Sequence, residues 1–552
     1  MAALPDAKQR PRPAATIVLL RDAAPGSGAG PEVLMLQRTQ NAAFLGGAWV
    51  FPGGSLDAAD ADPAVLARVT GRTEEEAGAK MQVAAGLALP YYVAAVRECF
   101  EEAGILLATT AQGGHLAPDR AAALMRFRDA PFNVFLATED LYVPAGDLAY
   151  FGHWITAPGR ARRFDTRFFV ALAPAGQEGS HDQNETVHSM WVRPQDALDR
   201  AEKGEIELVT ATQTTLRELA RFDDARKAFE HAAALVDIDE NRACWAQGSQ
   251  GTKLFRRTDP QYFEIHWSDP EETGTSSYEI VPGVPKRLDR LVTRLTAPNP
   301  GAMTGSGTNT YLVGEAEITV IDPGPDLDSH LVKILEAGAG RIRRILCTHT
   351  HLDHSPAAAK LKAATGAQVF GRPAPAGQDA TFQPDVVLEH GQRVAGLRAI
   401  HTPGHASNHL CYLLEETRML FTGDHVMQGS TVVINPPDGD MRAYLKSLEA
   451  LLAEDVVIIA PGHGFLIGMP HRELRRLIAH RLSREAKVRR ALERHGPAPL
   501  EALVPLVYDD VASRMHRWAA RSLSAHLGKL VAEGEVVEGL DGFALVESSK
   551  EA

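Results

Sequence analysis

Residues 348–354 read Thr-His-Thr-His-Leu-Asp-His and follow directly on the apolar run Arg344-Ile345-Leu346-Cys347. Four metal-competent side chains, His349, His351, Asp353 and His354, therefore crowd the loop at the end of one expected strand. Buried imidazoles and carboxylates need partners, and clustering them is costly without a counter-charge. A bound cation supplies both. Three further candidates sit on their own strand-end turns: His405 in Thr-Pro-Gly-His, Asp424 in Phe-Thr-Gly-Asp and His463 in Pro-Gly-His-Gly. A glycine beside each lets the backbone come close to a shared site. A second constellation lies far upstream, where Glu98, Glu101 and Glu102 fall at i, i+3 and i+4 and so share one helix face. Neighbouring carboxylates repel, and a hard divalent cation such as magnesium or manganese is the usual remedy.

The elements that must position these groups are legible in outline. Residues 14–20 and 32–36 read as strands joined by a Gly/Pro/Ser turn, and a glycine-rich turn runs from Ala48 to Gly54. Residues 91–103 have helical periodicity and stop at Gly104. Strand-like segments at 166–173 and 188–193 lead into helical material over 195–235. From 245 to 285 periodicity is lost and Gly, Ser, Thr, Asp and Pro take over, which reads as a linker; Phe263-Glu264-Ile265-His266-Trp267 within it could add a strand to a neighbour. From 286 short apolar strands alternate with helices. The tail, 481–552, is helical and closes on a β-like pair.

The bulk properties set limits. A chain of 552 residues calls for about three domains, and a formal charge of −13 argues against a protein that coats nucleic acid through its overall field. Cys99, Cys244, Cys347 and Cys411 lack CxxC spacing and read as buried thiols in a reducing compartment. The start of the chain is polar and proline-punctuated, and no apolar run is long enough to span a bilayer, so a cytoplasmic protein with no membrane partner is expected.

The cluster at 349–354 with its distant His, Asp and His resembles the metallo-β-lactamase superfamily, whose motif is HxHxDH; all seven positions are filled in order. The resemblance implies an αβ/βα sandwich with two metal ions. One takes His349, His351 and His405, the other takes Asp353, His354 and His463, and Asp424 bridges them. Such ligation suits two zinc ions, manganese or iron being the alternatives. Two cations held about 3.5–4 Å apart lower the pKa of a shared water and stabilise developing negative charge. Asp353 is the expected catalytic residue, orienting the nucleophile. His401, His409 and His425 are read as groups that orient ligands.

The segment from Asn299 to Val313, and that from Pro461 to Arg481, resemble a subfamily that includes single-strand-specific endoribonucleases. The tail resembles a winged helix, and residues 471–530 hold 13 Lys/Arg against 6 Asp/Glu. A basic module of that kind can dock on phosphates.

In the N-terminal half, Arg97-Glu98-Cys99-Phe100-Glu101-Glu102-Ala103-Gly104-Ile105 is similar to the REUxEExGU core of the Nudix hydrolase box. That implies an α/β/α sandwich whose Glu98, Glu101 and Glu102 hold magnesium or manganese, with Arg97 orienting them. Glu101 is the expected catalytic carboxylate and Glu185 a candidate general base. The box departs from the pattern: Val83 and Leu89 stand where a glycine and a glutamate belong, and Gly53-Gly54 precede Arg97 by over 40 positions. A branch resembling coenzyme A diphosphatases carries such an insertion after a similar WVFPGG start, with a nearby aspartate, here Asp57.

The expected organisation is α/β throughout: a Nudix domain over 1–245, a linker over 246–285, a metallo-β-lactamase-fold domain over 286–480 and a winged helix over 481–552. The leading expected function is hydrolysis of phosphodiester bonds in single-stranded RNA, with the Nudix site cutting a nucleoside diphosphate derivative. The alternative is an acyl-thioester hydrolase coupled to coenzyme A diphosphatase. A third reading is a nucleic-acid-binding regulatory protein with a vestigial Nudix site.

Overall fold

The computed structural model describes residues 10–23, 30–40, 46–182 and 186–546. They fall into two units, the first reaching to Trp245 and including Glu271–Thr273, the second made of Ala246–Pro270 and the chain from Gly274 onward.

In the first unit the strands Arg12–Asp22 and Phe164–Leu172 run parallel at the centre of a mixed sheet, with Pro31–Arg38 and Thr186–Val192 on one side and Ala149–Ile155 and Glu240–Arg242 on the other. Side chains alternate across a strand, and both faces are covered. Ile17, Leu19, Leu34 and Leu36 join a core under the helix Leu89–Ala103. Val18, Leu20, Val33 and Met35 join a second core under the helices Pro194–Glu202, Thr210–Leu219 and Ala225–Ala234. This is the expected α/β/α sandwich. The stretch between Gly54 and Arg97 folds as short helices, including Ala58–Ala61 and Glu74–Met81, each closed by a capping box. Leu89, where the box pattern asks for glutamate, is buried in the core at the helix start.

The second unit holds two facing sheets. The seven-stranded sheet runs from Lys286–Arg287 to Val386–Val387 and the six-stranded sheet from Arg393–Val394 to Ile467–Gly468. Tyr311, Ile321 and Leu346 from one sheet meet Tyr412, Phe421 and Ala460 from the other in a shared core. The helices Asp328–Gly338 and Ala358–Thr365 cover one outer face. Met441–Leu451 and the first half of Pro470–His495 cover the other. The second half of that 26-residue helix packs with Leu500–Val507, His516–Ala532 and the hairpin Val536–Gly539/Gly542–Leu545 around a small separate core. The order of sandwich, sandwich and winged helix is thus as expected.

Three sequence expectations need correction. The stretch 246–285 is not a bare linker: the hairpin Cys244–Gly248/Gly251–Phe255 and the helix Tyr262–Ser268 lie in it, and most of it belongs to the second unit. Phe263–Trp267 is helical rather than a strand, with wholly buried Glu264 pointing into the fold. A short mixed segment carries no decisive period, and the buried ion pairs of Glu264 fix it. The boundary expected at 480 falls inside the helix Pro470–His495. Among the described residues no helix is long and apolar enough to cross a membrane.

Candidate metal centre

The strand Ile342–Leu346 ends where its backbone hands over to Thr348, whose N–H and hydroxyl both donate to Asp322, at 2.7 and 2.8 Å. Asp322 closes the neighbouring strand Ile318–Ile321 with φ +50° and also meets His354 Nδ1 at 2.9 Å. One carboxylate therefore fixes the start of the loop and the ring of His354, leaving His354 Nε2 buried and without a hydrogen-bond partner. The sequence reading missed Asp322; its signal was only a strand-ending aspartate before Pro-Gly.

All seven expected ligands converge. His351 Nδ1 lies 2.9 Å from His349 Nε2 and 3.0 Å from His405 Nε2. His405 Nδ1 is held by the Val433 carbonyl and His463 Nδ1 by that of Gly307, which turns each Nε2 inward. Asp353 Oδ2 lies 3.3 Å from both His354 Nε2 and His463 Nε2. Asp424 stands between the two sets, with Oδ1 3.3 Å from His463 Nε2 and Oδ2 3.7 Å from His405 Nε2. His349, His351 and His405 form one possible ligand group, His349, His354 and Asp424 a second, and Asp353, His354 and His463 a third.

The donor set fits cations. His349 Nε2 and His405 Nε2 each stand within 3.0 Å of His351 Nδ1, a nitrogen that has at most one proton to share with the two of them. Asp424 Oδ1, like His354 Nε2, is buried without a hydrogen-bond partner. Close backbone approach is real too: a Cβ on Gly462 would stand 2.7 Å from Asp424 Oδ1, and one on Gly404 would collide with the backbone of Tyr444. Thr308 donates to Asp353 Oδ2 at 3.1 Å and steadies it. Asn309 ties the same segment to the His463 loop, donating to the carbonyls of Pro461 and Gly464. His409 stacks on His349 at 5.1 Å and is held by Thr402, so it braces that ring. His425 packs on Tyr444, whereas His401 faces the Ser407 carbonyl.

Burial, then neighbouring rings, push His349 far below the usual histidine range; burial takes His351 down to about 4. Burial opposes charge on His354 and His463 as well, but the carboxylates of Asp353 and Asp424 outweigh it. His354 is held well above the ordinary value and His463 is raised to about 10. Both shifts favour the protonated rings when no cation is bound, so a cation binding there displaces protons. Loading divalent metal at pH 7 is expected to release about two protons, and apparent affinity to rise with pH toward 10. Calorimetry in buffers of different ionisation enthalpy measures the release; none at all would mean neutral rings.

In the first unit Arg97 gathers the carboxylates. It donates to Glu98 at 2.8 Å, Glu101 at 2.9 Å and Asp60 at 2.8 and 3.0 Å, with a further bond to the Ser55 carbonyl. Asp60, from the inserted segment, is the buried partner; Asp57 caps the short helix Ala58–Ala61 in which it lies. Glu102 accepts from Gly53 N at 2.9 Å. Glu98 and Glu101 thus share Arg97, while Glu102 is held at Gly53, next to the Gly54 that Glu98 approaches. Among the described residues, every compact group of three candidate ligands lies in the second unit. Burial raises Glu98 to about 7 and also lifts Glu101, as expected of carboxylates awaiting a cation. A Cβ on Gly54 would stand 2.5 Å from Glu98 Oε1, so a side chain there would push that carboxylate aside. Glu185 lies outside the described residues.

Comparison with known proteins agrees with this layout. Family models match in order: the NUDT19 Nudix domain at residues 11–221, the metallo-beta-lactamase superfamily at 303–463 and the beta-lactamase associated winged helix domain at 500–542. A protein named thioesterase pkgB from Emericella nidulans is 34% identical over 43% of this chain and 68% of its own length. The beta-lactamase-like protein 2 homolog of Drosophila melanogaster is 32% identical over 47% of this chain and 93% of its own. A solved Nudix hydrolase from Alicyclobacillus acidocaldarius is 31% identical, covering 40% of this chain and 97% of that one at a TM-score of 0.34.

Proposed function

Because the chain belongs to the metallo-β-lactamase superfamily, with a Nudix domain before the sandwich and a winged helix after it, we propose that this hydrolase cleaves acyl thioesters at a dinuclear zinc centre. The Nudix half would cut the diphosphate of coenzyme A or a related nucleoside diphosphate derivative. When bound, paired cations supply Lewis acidity and an activated water. The protein's own part is orientation. Asp353, steadied by Thr308, faces the same space as His354 and His463 and can direct a nucleophile by accepting its hydrogen bond. Asp322 keeps the His354 ring aimed inward.

One observation favours thioester over RNA: about half of the tail's basic island is already engaged in burial or ion pairs. Arg481 and Arg484 are buried, Arg484 and Lys487 pair with Asp510 and Asp509, Arg489 with Glu535, and Lys529 with Glu485 and Glu533. A cation already neutralised by a carboxylate releases few counterions on meeting a phosphate. The thioesterase name of one relative points the same way. RNA remains the second reading because Arg472, Arg475, Arg490, Arg494, Arg514, Arg517 and Arg521 stay exposed.

The two readings part in one experiment. Metal-loaded full-length protein is offered acyl-coenzyme A and single-stranded RNA across a salt series, beside Asp353→Ala and Glu101→Ala. Thioester turnover that is nearly flat in salt and lost only in Asp353→Ala supports the lead reading, with diphosphate cleavage lost only in Glu101→Ala. RNA cleavage that falls steeply with salt and leaves the thioester intact would replace it.

A further inference from the structure

The edge strand Lys286–Arg287 pairs with Val292–Thr296 so that Lys286 stands opposite Arg294. Like charges directly opposite one another repel, and Arg294 is only 2% exposed. Glu264 is set against both. Arg294 Nη2 donates to its Oε1 at 2.9 Å, and Lys286 Nζ donates to the same oxygen at 2.7 Å. One carboxylate facing two cations leaves positive charge in excess where unpaired charge is costly.

A cavity of about 350 Å³ opens beside this excess, lined by Lys286 and Arg294 together with Ser268, Ser276 and Ser277. Two more charged groups lie on its wall. Arg287 adds a cation, and Glu279 an anion that is engaged by the N–H and hydroxyl of Ser249. Lys286, Arg287 and Arg294 against Glu264 and Glu279 give three positive charges to two negative, a net of +1. Lys286 Nζ has hydrogen bonds to Glu264 and to the Ser277 carbonyl, which leaves one of the three ammonium donors for another acceptor.

We propose that this cavity is a binding site for a small organic oxyanion, a carboxylate or phosphate monoester, distinct from the metal centre. Its volume lies at the small end of ligand pockets. The site is tied to the metal centre through its back wall. Arg294 Nη1 also donates to the Gly464 carbonyl at 3.3 Å, and Glu264 accepts from Leu466 N at 3.1 Å, so the same pair holds the loop that carries His463. An anion drawn to Lys286 and Arg294 bears on the placement of that ligand. The inference stands whichever substrate the metal centre takes.

The test titrates metal-loaded full-length protein with inorganic phosphate and, separately, with acetate, in wild type, Lys286→Met and Ser276→Leu. The first variant removes the charge and the second fills the space. Anion binding at the metals persists in all three, whereas the cavity site weakens at least about ten-fold in both variants. The stronger arm in wild type identifies phosphate or carboxylate. Wild-type crystals soaked in selenate add a readout that needs no variant to fold, with an anomalous peak expected within hydrogen-bond distance of Lys286 Nζ. Identical titrations in all three proteins, or soaked crystals with no peak in the cavity, overturn the proposal.

Discussion

Asp353→Ala is expected to lower hydrolytic turnover by roughly 10²–10⁴-fold while leaving the fold intact. The side chain is only partly buried and sits at a loop, so its removal creates no core cavity. What disappears is the carboxylate that faces His354 and His463 at 3.3 Å, which the proposed function makes both a metal donor and the group that aims the nucleophile. Thr308→Val separates the two roles, because it deletes only the hydroxyl that steadies Asp353. The milder variant should keep its metal content, measured by elemental analysis, and lose kcat rather than raise KM. Asp353→Ala retaining full turnover on every substrate would remove this centre from the chemistry altogether.

Glu264→Ala carries the largest expected cost in stability, about 3–5 kcal/mol, since it leaves Arg294 buried without its counter-charge. It also frees Leu466 N, which now donates to Glu264 and helps fix the loop after His463. Equilibrium denaturation of the full chain should show the transition of the second unit moving to lower denaturant and that of the first unit staying in place. Glu264→Gln keeps the size and most hydrogen bonds but not the charge, and it should fall between. A loss below about 1 kcal/mol in Glu264→Ala would mean water reaches Arg294 and the pair is not truly buried.

What could be read in advance follows a physical pattern. His349, His351, Asp353 and His354 announce themselves because they are adjacent, and His405, Asp424 and His463 because each sits on a glycine-marked strand end. Asp322 and Asp60 act at the same sites yet are single carboxylates 26 and 37 positions from their partners, so nothing local distinguishes them. The carboxylate helix was legible as a shared face, but the turn of Glu102 toward Gly53 depends on where a distant strand places an amide. The stretch 246–285 was misread because Gly, Ser and Pro report irregular backbone, not independence from the next core. Counting Lys and Arg in the tail likewise gave the charge but not its pairing, which only the packing of Asp509, Asp510 and Glu535 reveals.

The helix Pro470–His495 ties two cores by a single angular phase. Leu474 and Leu477 face the sandwich, and Val488, Ala491 and Leu492 face the winged helix. Each residue advances an α-helix by about 100°, so one inserted near the middle would swing the downstream apolar stripe by that angle relative to the upstream one. Both stripes could not then meet their cores at once. Substitutions on the wet side of this helix are free to accumulate, but its length between the two stripes is not free to drift, and an excision or graft that respects the phase must move in whole turns.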